Sequence, residues 1–586
     1  MIDKNLNLDE MSHEDLLKLV KKEQQGNKNL KPRDEVIHDA IDAFFENYDQ
    51  HENIRSLKSK LIFAINQKIQ LHNASFSLNG ARAYAMIKEL ETSELVWILP
   101  YIDDYRIVKR SVHATAESSD LMYQTEHGWY APATTRIQYL ANIFCRKFNI
   151  KETENIIGRI KAALNFYEES ECNDEDYTPL LNGVFNKEYW DEHHELLPYT
   201  RDKIFVNPFG VRFNPDATNP VIDINGVKFD VEEWLSQLAA NDEDIKNTLW
   251  DVLSGILHPY RKYGKALMIY SPVGNNGKGT FLELCRNVVG PELCSNLSIE
   301  SFADKNLVVN IANSRLVAGD ENAVNQYIDN SENFKNAVTG DPITVDRKYT
   351  NSLTFSYSGF IIQCMNGLPT TKDKSNSFYR RLIVLPFNSN FEGKENKAIK
   401  KIYMKNKDVL EYVVYKALMR DVEKIDTPDA ANLLMEEFKE DNDSLLQWWK
   451  DQGSQENFMW DRLPWCLLYG SYDFWYRDTH RSERCNISQP KFTREFKQKI
   501  LPDLDGWDVP DNKEGDFMFT TEMKNTPEPL IGLYNVKQLI NESARGNNRD
   551  DLAGSYSYKW DKHFRGIVKT QWGDRNDSTR KTQRIC

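Results

Sequence analysis

Apolar side chains recur at helical spacing early in the chain, at Val36, Ile37, Ala40, Ile41, Phe44 and Phe45 behind an Asp34 placed to cap them, and again from Ala81 to Ile98. The pattern predicts a helical N-terminal domain over 1–124 with no chemistry beyond a bundle core. From 125 to 235 short β-like pieces with Trp129, Tyr130, Trp190 and Trp234 alternate with turn signals at Asn207-Pro208, Asn214-Pro215-Asp216 and Asn225-Gly226, which predicts a mixed α/β region. Residues 236–395 alternate helical periods with mainly apolar runs at Ala266–Tyr270, Leu316–Ala318, Phe360–Met365 and Leu382–Leu385, the third interrupted by Gln363. Such runs are buried strands of a mostly parallel sheet covered on both faces. A helical connector, 396–440, leads to a smaller domain over 441–540. In the last stretch, 541–586, Asn541–Ser555 reads as a linker and the rest as a tail. The fold class is multi-domain α/β.

With 586 residues the chain is too long for one core, and about 150 residues per domain implies roughly four units. Acids outnumber bases 88 to 74, a formal charge of −14 that excludes a protein coated in positive charge, so any nucleic-acid contact must be local. The tail beyond Tyr556 supplies one such locality, with eight basic residues, Arg580 and Lys581 among them, against three acids. No run approaches the roughly 18 apolar residues of a membrane helix, and a cytoplasmic protein without a membrane partner is expected. Eight cysteines without a C-x-x-C pair or a histidine at zinc spacing read as reduced thiols. The adjacent His193 and His194 do not share a helix face and read as surface or turn residues.

Chemistry concentrates in 236–395. Tyr270-Ser271-Pro272-Val273-Gly274-Asn275-Asn276-Gly277-Lys278-Gly279-Thr280-Phe281 lies between an apolar strand and a helical run. Small residues there let backbone N–H groups wrap nucleotide phosphates, Lys278 adds a cation, and the helix N-terminus adds its dipole. Two departures from the strict P-loop pattern stand out: Pro272 occupies the first Gly position, and Gly279 stands where a Ser or Thr holds Mg²⁺, leaving Thr280 or a water for that ligand. About forty residues on, Asp320 and Glu321 follow a short apolar strand, an arrangement that suits Asp320 holding Mg²⁺ and Glu321 polarising the attacking water. Asn366 ends the next strand, either as an amide for the γ-phosphate or as a turn residue before Gly367, and Arg380-Arg381 precede the last.

In this order the elements resemble the superfamily 3 (AAA+) helicases, in the phage and plasmid primase-helicase branch related to poxvirus replication proteins. The gross style also resembles the Rep initiators of staphylococcal pathogenicity islands. The resemblance rests on NGKGTF at 276–281, GDEN at 319–322, FKNAVTGDPITVDRKY at 334–349, MNGLP at 365–369 and YRRLIVLPF at 379–387, with LNGVFN at 181–186 and FNPDAT at 213–218 upstream. It implies an AAA+ motor over 236–395 in which Gly274, Asn275, Asn276, Gly277, Lys278, Gly279 and Thr280 bind ATP. It further implies that Thr280 and Asp320 hold Mg²⁺, Asp320 and Glu321 catalyse hydrolysis, Asn366 senses the γ-phosphate, and Arg380 or Arg381 acts in trans. A hairpin from Asp341 to Tyr349 would project Arg347 and Lys348 into a central pore. The resemblance also implies a hexameric homo-oligomer moving 3′ to 5′ on single-stranded DNA, with a separate primase or host replication factor as a further partner.

The C-terminal domain adds a helix from Ser488 on which Phe492, Phe496 and Ile500 share one face and Lys491, Arg494, Lys497 and Gln498 the other. With 507–519 as a β-hairpin it predicts a winged-helix-like module for double-stranded origin DNA, although a solvated amphipathic helix has the same pattern. Three functions remain open. The first is an ATP-driven helicase and replication initiator of a mobile element. The second is a nucleotide-switched origin-binding protein without turnover. The third, a small-metabolite phosphotransferase, explains Lys278 but not the basic hairpin or tail.

Overall fold

The computed structural model describes residues 31–48, 53–76, 83–109, 119–145, 147–224, 227–322, 327–345, 353–393, 396–452, 459–482, 484–510, 516–517 and 563–569. Asn225-Gly226, the linker Asn541–Ser555 and most of the basic tail, including Arg580 and Lys581, lie outside them. The chain forms two compact units, Met1–Gly367 with Arg380–Ala430, and Leu368–Tyr379 with Ala431–Cys586. Among the described residues no helix is long and apolar enough to cross a membrane.

In the first unit the helices Arg33–Phe45, Ile54–Phe76 and Thr92–Ile102 bury Ile37, Ile41, Leu61, Ile65 and Leu99 against Ile137 and Phe144 of the helix Ala133–Phe144. Beside them stands a four-stranded sheet of β1 (Tyr105–Lys109), β2 (Asp120–Gln124), β3 (Tyr130–Pro132) and β4 (Glu168–Ser170), in the order β3-β2-β1-β4. Two of these strands fall inside 1–124, so the wholly helical assignment of that segment is corrected. The helix predicted from Ala81 starts at Thr92, where Glu94 accepts the Glu91 N–H at 2.8 Å in a capping box. Strands of five residues are too short for their period of two to stand out beside the longer helical repeats.

The same unit holds a five-stranded sheet of β5 (Ala266–Tyr270), β6 (Cys294–Ser295), β7 (Leu316–Asn322), β8 (Phe360–Met365) and β9 (Leu382–Pro386). All pairings are parallel and the order is β6-β7-β8-β5-β9. Every residue of β8 and β9 is buried, so both faces are covered. Two sequence expectations change here. The two-residue edge strand β6 went unpredicted, and β7 runs on through Asp320 and Glu321 rather than ending at Ala318. Its pairing with β8 shifts register between Gly319 and Asn322, and such a bulge re-aims side chains. Pro342–Val345 and Leu353–Ser356 form an antiparallel pair; Arg347 and Lys348, between them, lie outside the described residues.

The second unit packs the helices Ser444–Gln452, Trp465–His480 and Gln489–Lys499 around Trp448, Trp465, Tyr472, Phe492 and Phe496. Its strands are β10 (Arg462–Pro464), β11 (Trp507–Asp508), β12 (Asp516–Phe517) and β13 (Phe564–Lys569). The last is the hub, antiparallel to each of the other three. This corrects two expectations. Phe564–Lys569 is a strand with Ile567 fully buried, not tail, and among the described residues of 507–519 the strands β11 and β12 pair with β13 rather than with each other. Gly566 makes the close pairing feasible, since a Cβ there would stand 2.0 Å from the Leu463 carbonyl oxygen. The unit also takes in Leu368–Tyr379, which the pattern assigned to 236–395: the Thr371 N–H donates to Asn442 Oδ1 at 2.7 Å, and Asn442 Nδ2 donates to the Pro369 carbonyl at 3.2 Å.

Candidate functional site

The turn after β5 is set by Gly277, whose φ of +86° lies in the left-handed region and whose Cβ, if present, would stand 2.3 Å from Leu238 Cδ2. Gly277 caps the helix Lys278–Val289, so the free N–H groups of its first turn face the loop. Asn275 is also left-handed, at φ 55°. Asn276 ties the loop to itself, donating to the Val273 carbonyl and accepting the Lys278 N–H at 3.3 Å.

Lys278 is 8% exposed, and its Nζ donates to the Ser271 carbonyl at 3.2 Å and to Asn366 Oδ1 at 2.9 Å. Burial pulls its pKa below the ordinary lysine value. β5, β7 and β8 thus deliver Lys278, Asp320 and Asn366 at or beyond their C-terminal ends, where open parallel sheets bind ligands.

The Asp320 side chain is 37% exposed, and its Oδ2 accepts from Arg286 Nη1 at 3.3 Å. The Glu321 backbone belongs to β7, but its side chain lies outside the described residues. Gly279 faces this carboxylate: a Cβ there would lie 3.5 Å from Asp320 Oδ1 and 3.5 Å from Lys400 Nζ. Mg²⁺ is usually held by one or two carboxylates plus phosphate oxygens and water, and a half-exposed Asp320 beside a phosphate-sized loop fits that donor set. Thr280 instead lines a cavity of about 470 Å³ with Asn275, Gly277, Trp234, Leu238 and Phe391.

Sequence reasoning missed three features. The cavity draws on residues more than a hundred positions apart. Arg286 lies eight residues beyond Lys278 on the same helix. The third is a buried amide layer beneath β7, in which Asn322 Nδ2 donates to Gln363 Oε1 at 3.1 Å and to the Cys364 carbonyl at 3.0 Å, while Gln363 Nε2 donates to the Leu297 carbonyl at 3.0 Å. Gly319 is the one signal of this layer in the sequence, since a side chain there would strike Gln363.

Arg380 and Arg381 do not join the cluster. They precede β9 at the N-terminal edge of the sheet, where the Arg381 carbonyl accepts the Ala266 N–H at 2.7 Å. The five residues of β5 separate that edge from the loop before Lys278, a span of roughly 13–16 Å. Arg380 is exposed and Arg381 half-buried. In the second unit Lys491, Arg494 and Lys497 are exposed on the helix Gln489–Lys499, while Phe492 and Phe496 are buried. Lys491 pairs with Glu495 at 3.6 Å and Lys497 lies 5.5 Å from the Trp465 ring centre. Ser488 holds the N-cap position without a side-chain hydrogen bond.

Residues 269–381 match the model of a protein family described as of unknown function, DUF5906. No curated protein matches the chain. Among solved structures, an A form apo structure of the NrS-1 C terminal region is 13% identical over 62% of this chain and 81% of that one, with a TM-score of 0.36. An apo structure of the NrS-1 C terminal region (305–718) gives 13% over the same shares at 0.38, and an A form of that region gives 12% over 73% and 97% at 0.41. Scores this low leave function to be argued from the site itself.

Proposed function

We propose that the chain is an ATP hydrolase driving a ring-forming DNA helicase and replication initiator. The observation that carries the reading is the hydrogen bond from Lys278 Nζ to Asn366 Oδ1, which joins the P-loop to the end of the neighbouring strand with Asp320 one strand further. In this reading Lys278 and the backbone N–H groups of 277–280 hold the phosphates, and Asn366 hands Lys278 over to the γ-phosphate as nucleotide enters. Asp320 holds Mg²⁺, which neutralises charge on the phosphates when bound. Glu321 takes the proton from the water that attacks the γ-phosphorus as the bond to ADP breaks. The cavity, in which Trp234, Leu238 and Phe391 give the apolar wall beside the polar Asp230, Glu233 and Lys397, accepts the base and ribose.

The opposite-edge position of Arg380 supports a ring. An arginine that far from its own P-loop can reach a γ-phosphate only on a neighbouring copy, where such a finger contributes a factor of roughly 10³–10⁵. For DNA, the antiparallel pair Pro342–Val345 and Leu353–Ser356 supports a pore hairpin carrying Arg347 and Lys348. The second unit, with its exposed Arg494 and three strands meeting on β13, supports a winged-helix-like loading module.

The nucleotide-switched origin binder draws support from the Arg286–Asp320 pair, which occupies the carboxylate assigned to Mg²⁺. ATP hydrolysis with and without single-stranded DNA, beside strand displacement on forked duplexes, separates the readings. DNA-stimulated turnover that disappears in Lys278→Ala and Glu321→Gln supports the helicase. ATP binding through Lys278 without turnover or unwinding on any fork replaces it with the switch.

A further inference from the structure

We propose that Lys400 is a second phosphate-binding lysine, which reaches the polyphosphate of the bound nucleotide from the helix Lys397–Lys401 across the position that Gly279 leaves without a hydroxyl. This rests on the reading of the site as an ATP site and assigns one more residue to it.

Three observations lead there. Lys400 Nζ and Asp320 Oδ1 each lie 3.5 Å from the point where a side chain at 279 would begin, so the ammonium flanks the place usually held by the metal-binding hydroxyl. Lys400 also lines the cavity that holds Asn275, Gly277 and Thr280, so it opens onto the space a nucleotide would fill. Finally, two ammonium groups border the same loop: Lys278 opens the helix Lys278–Val289 and Lys400 stands beside its second residue, whereas Arg286, in the last turn of that helix, is already paired with Asp320, and Asp230 and Glu233 line the far part of the cavity. Lys278, Arg286, Lys400 and Asp320 all act through space on the buried Cys364 thiol, whose pKa burial pushes up to about 12.

A helix N-terminus repels cations. Lys400 is exposed and stands with Lys278 beside that terminus, so an anion of several charges between the two ammonium groups would stabilise the arrangement, and a triphosphate supplies one. Phosphate contact by an ammonium needs no hydroxyl at 279, which accounts for the glycine.

The test measures equilibrium binding of ATP, ADP and adenosine to the full chain, comparing wild type with Lys400→Ala, Lys400→Arg and Lys278→Ala. Charge-assisted hydrogen bonds predict that Lys400→Ala weakens ATP and ADP by about 10–100-fold and leaves adenosine unchanged, with Lys400→Arg recovering most of the loss. Gly279→Ser in the Lys400→Ala background should restore part of the ATP affinity with Mg²⁺ present, because a Cβ at 279 meets only ordinary contacts. Unchanged ATP affinity in Lys400→Ala, or an equal fall for adenosine, overturns the proposal while Lys278→Ala still loses ATP. A wild type that binds no ATP overturns the ATP reading itself and this inference with it.

Discussion

Gly319→Ala probes whether the bulge in β7 is what aims Asp320. An added Cβ would stand 2.1 Å from Gln363 Oε1, 2.7 Å from Cδ and 2.9 Å from Nε2. Gln363 is fully buried and held at both ends, by the Leu297 carbonyl and by Asn322, so it cannot swing into solvent to make room. Overpacking a closed core costs about 1–3 kcal/mol, and stranding one partner of a buried hydrogen bond adds about 1–3 kcal/mol. The expected loss is therefore roughly 2–6 kcal/mol, concentrated in β7 and β8. A melting temperature would mix the two units, so the assay is native-state hydrogen exchange of the β7 and β8 amides alongside ATP turnover. Gln363→Ala removes the obstructing amide, and in the double variant part of the penalty should disappear, a coupling of about 1–3 kcal/mol. Wild-type exchange and wild-type turnover in Gly319→Ala would refute the account of the bulge. Equal additive losses would show that Gln363 is not the obstacle.

Three further outcomes follow from the geometry. Arg380→Ala and Lys278→Ala should each abolish ATP turnover alone, yet regain activity on mixing, since random pairing joins an intact P-loop to an intact Arg380 at about a quarter of interfaces; no recovery would mean Arg380 does not act across subunits. His258 is held neutral, because burial first and Arg261 second lower its pKa from 6.5 to about 4, against the opposing pull of Asp421 at 3.8 Å. The unfolded chain binds that proton below pH 6.5 and the folded chain only below about 4, so stability present above pH 6.5 is lost as the pH falls between them, by about 3 kcal/mol. Native-state hydrogen exchange of the Glu243–Leu257 helix amides, corrected for intrinsic rates at pH 7 and 4.5, should show a smaller loss of protection in His258→Asn than in wild type. Arg494→Ala should weaken duplex DNA binding and lower the salt slope of log K by about 1, whereas Lys497→Ala, already engaged with Trp465, should change it less; equal slopes in all three proteins would remove the helix from the DNA interface.

The central sheet was legible because four of its strands are mainly apolar runs of three to six residues, broken only by Gln363, a signal that survives without partners. The parts that were not legible are those whose assignment depends on what they pair with. Cys294–Ser295 is a strand only because Leu316–Val317 offers an edge. Phe564–Lys569 carries Arg565 and Lys569 and counts as basic tail until Leu463 and Trp507 are brought beside it. In the N-terminal sheet, β1 and β4 pair in parallel across sixty residues, a contact no local period announces.

The site divides along the same line. Lys278 and its loop are contiguous, so the proposed phosphate-binding motif stands in one stretch of the sequence. The groups that orient the loop's partners are buried amides, Asn322 and Gln363, forty-one residues apart and bonded to each other. Asparagine and glutamine in a sequence carry no mark of burial, and their role appears only when β7 and β8 are side by side. The consequence is mechanistic. A carboxylate at a strand end works only if it points along one direction, and here that direction depends on a glycine and two amides rather than on Asp320 itself. A variant could therefore keep every residue of the P-loop, Asp320 and Asn366, lose Gly319 alone, and retain nucleotide binding through Lys278 while turnover fails. Loss of turnover with retained binding is also what the nucleotide-switched alternative predicts for the wild type, so Gly319 is where the two readings meet: in a working hydrolase its substitution creates the switch, and in a switch it changes stability only.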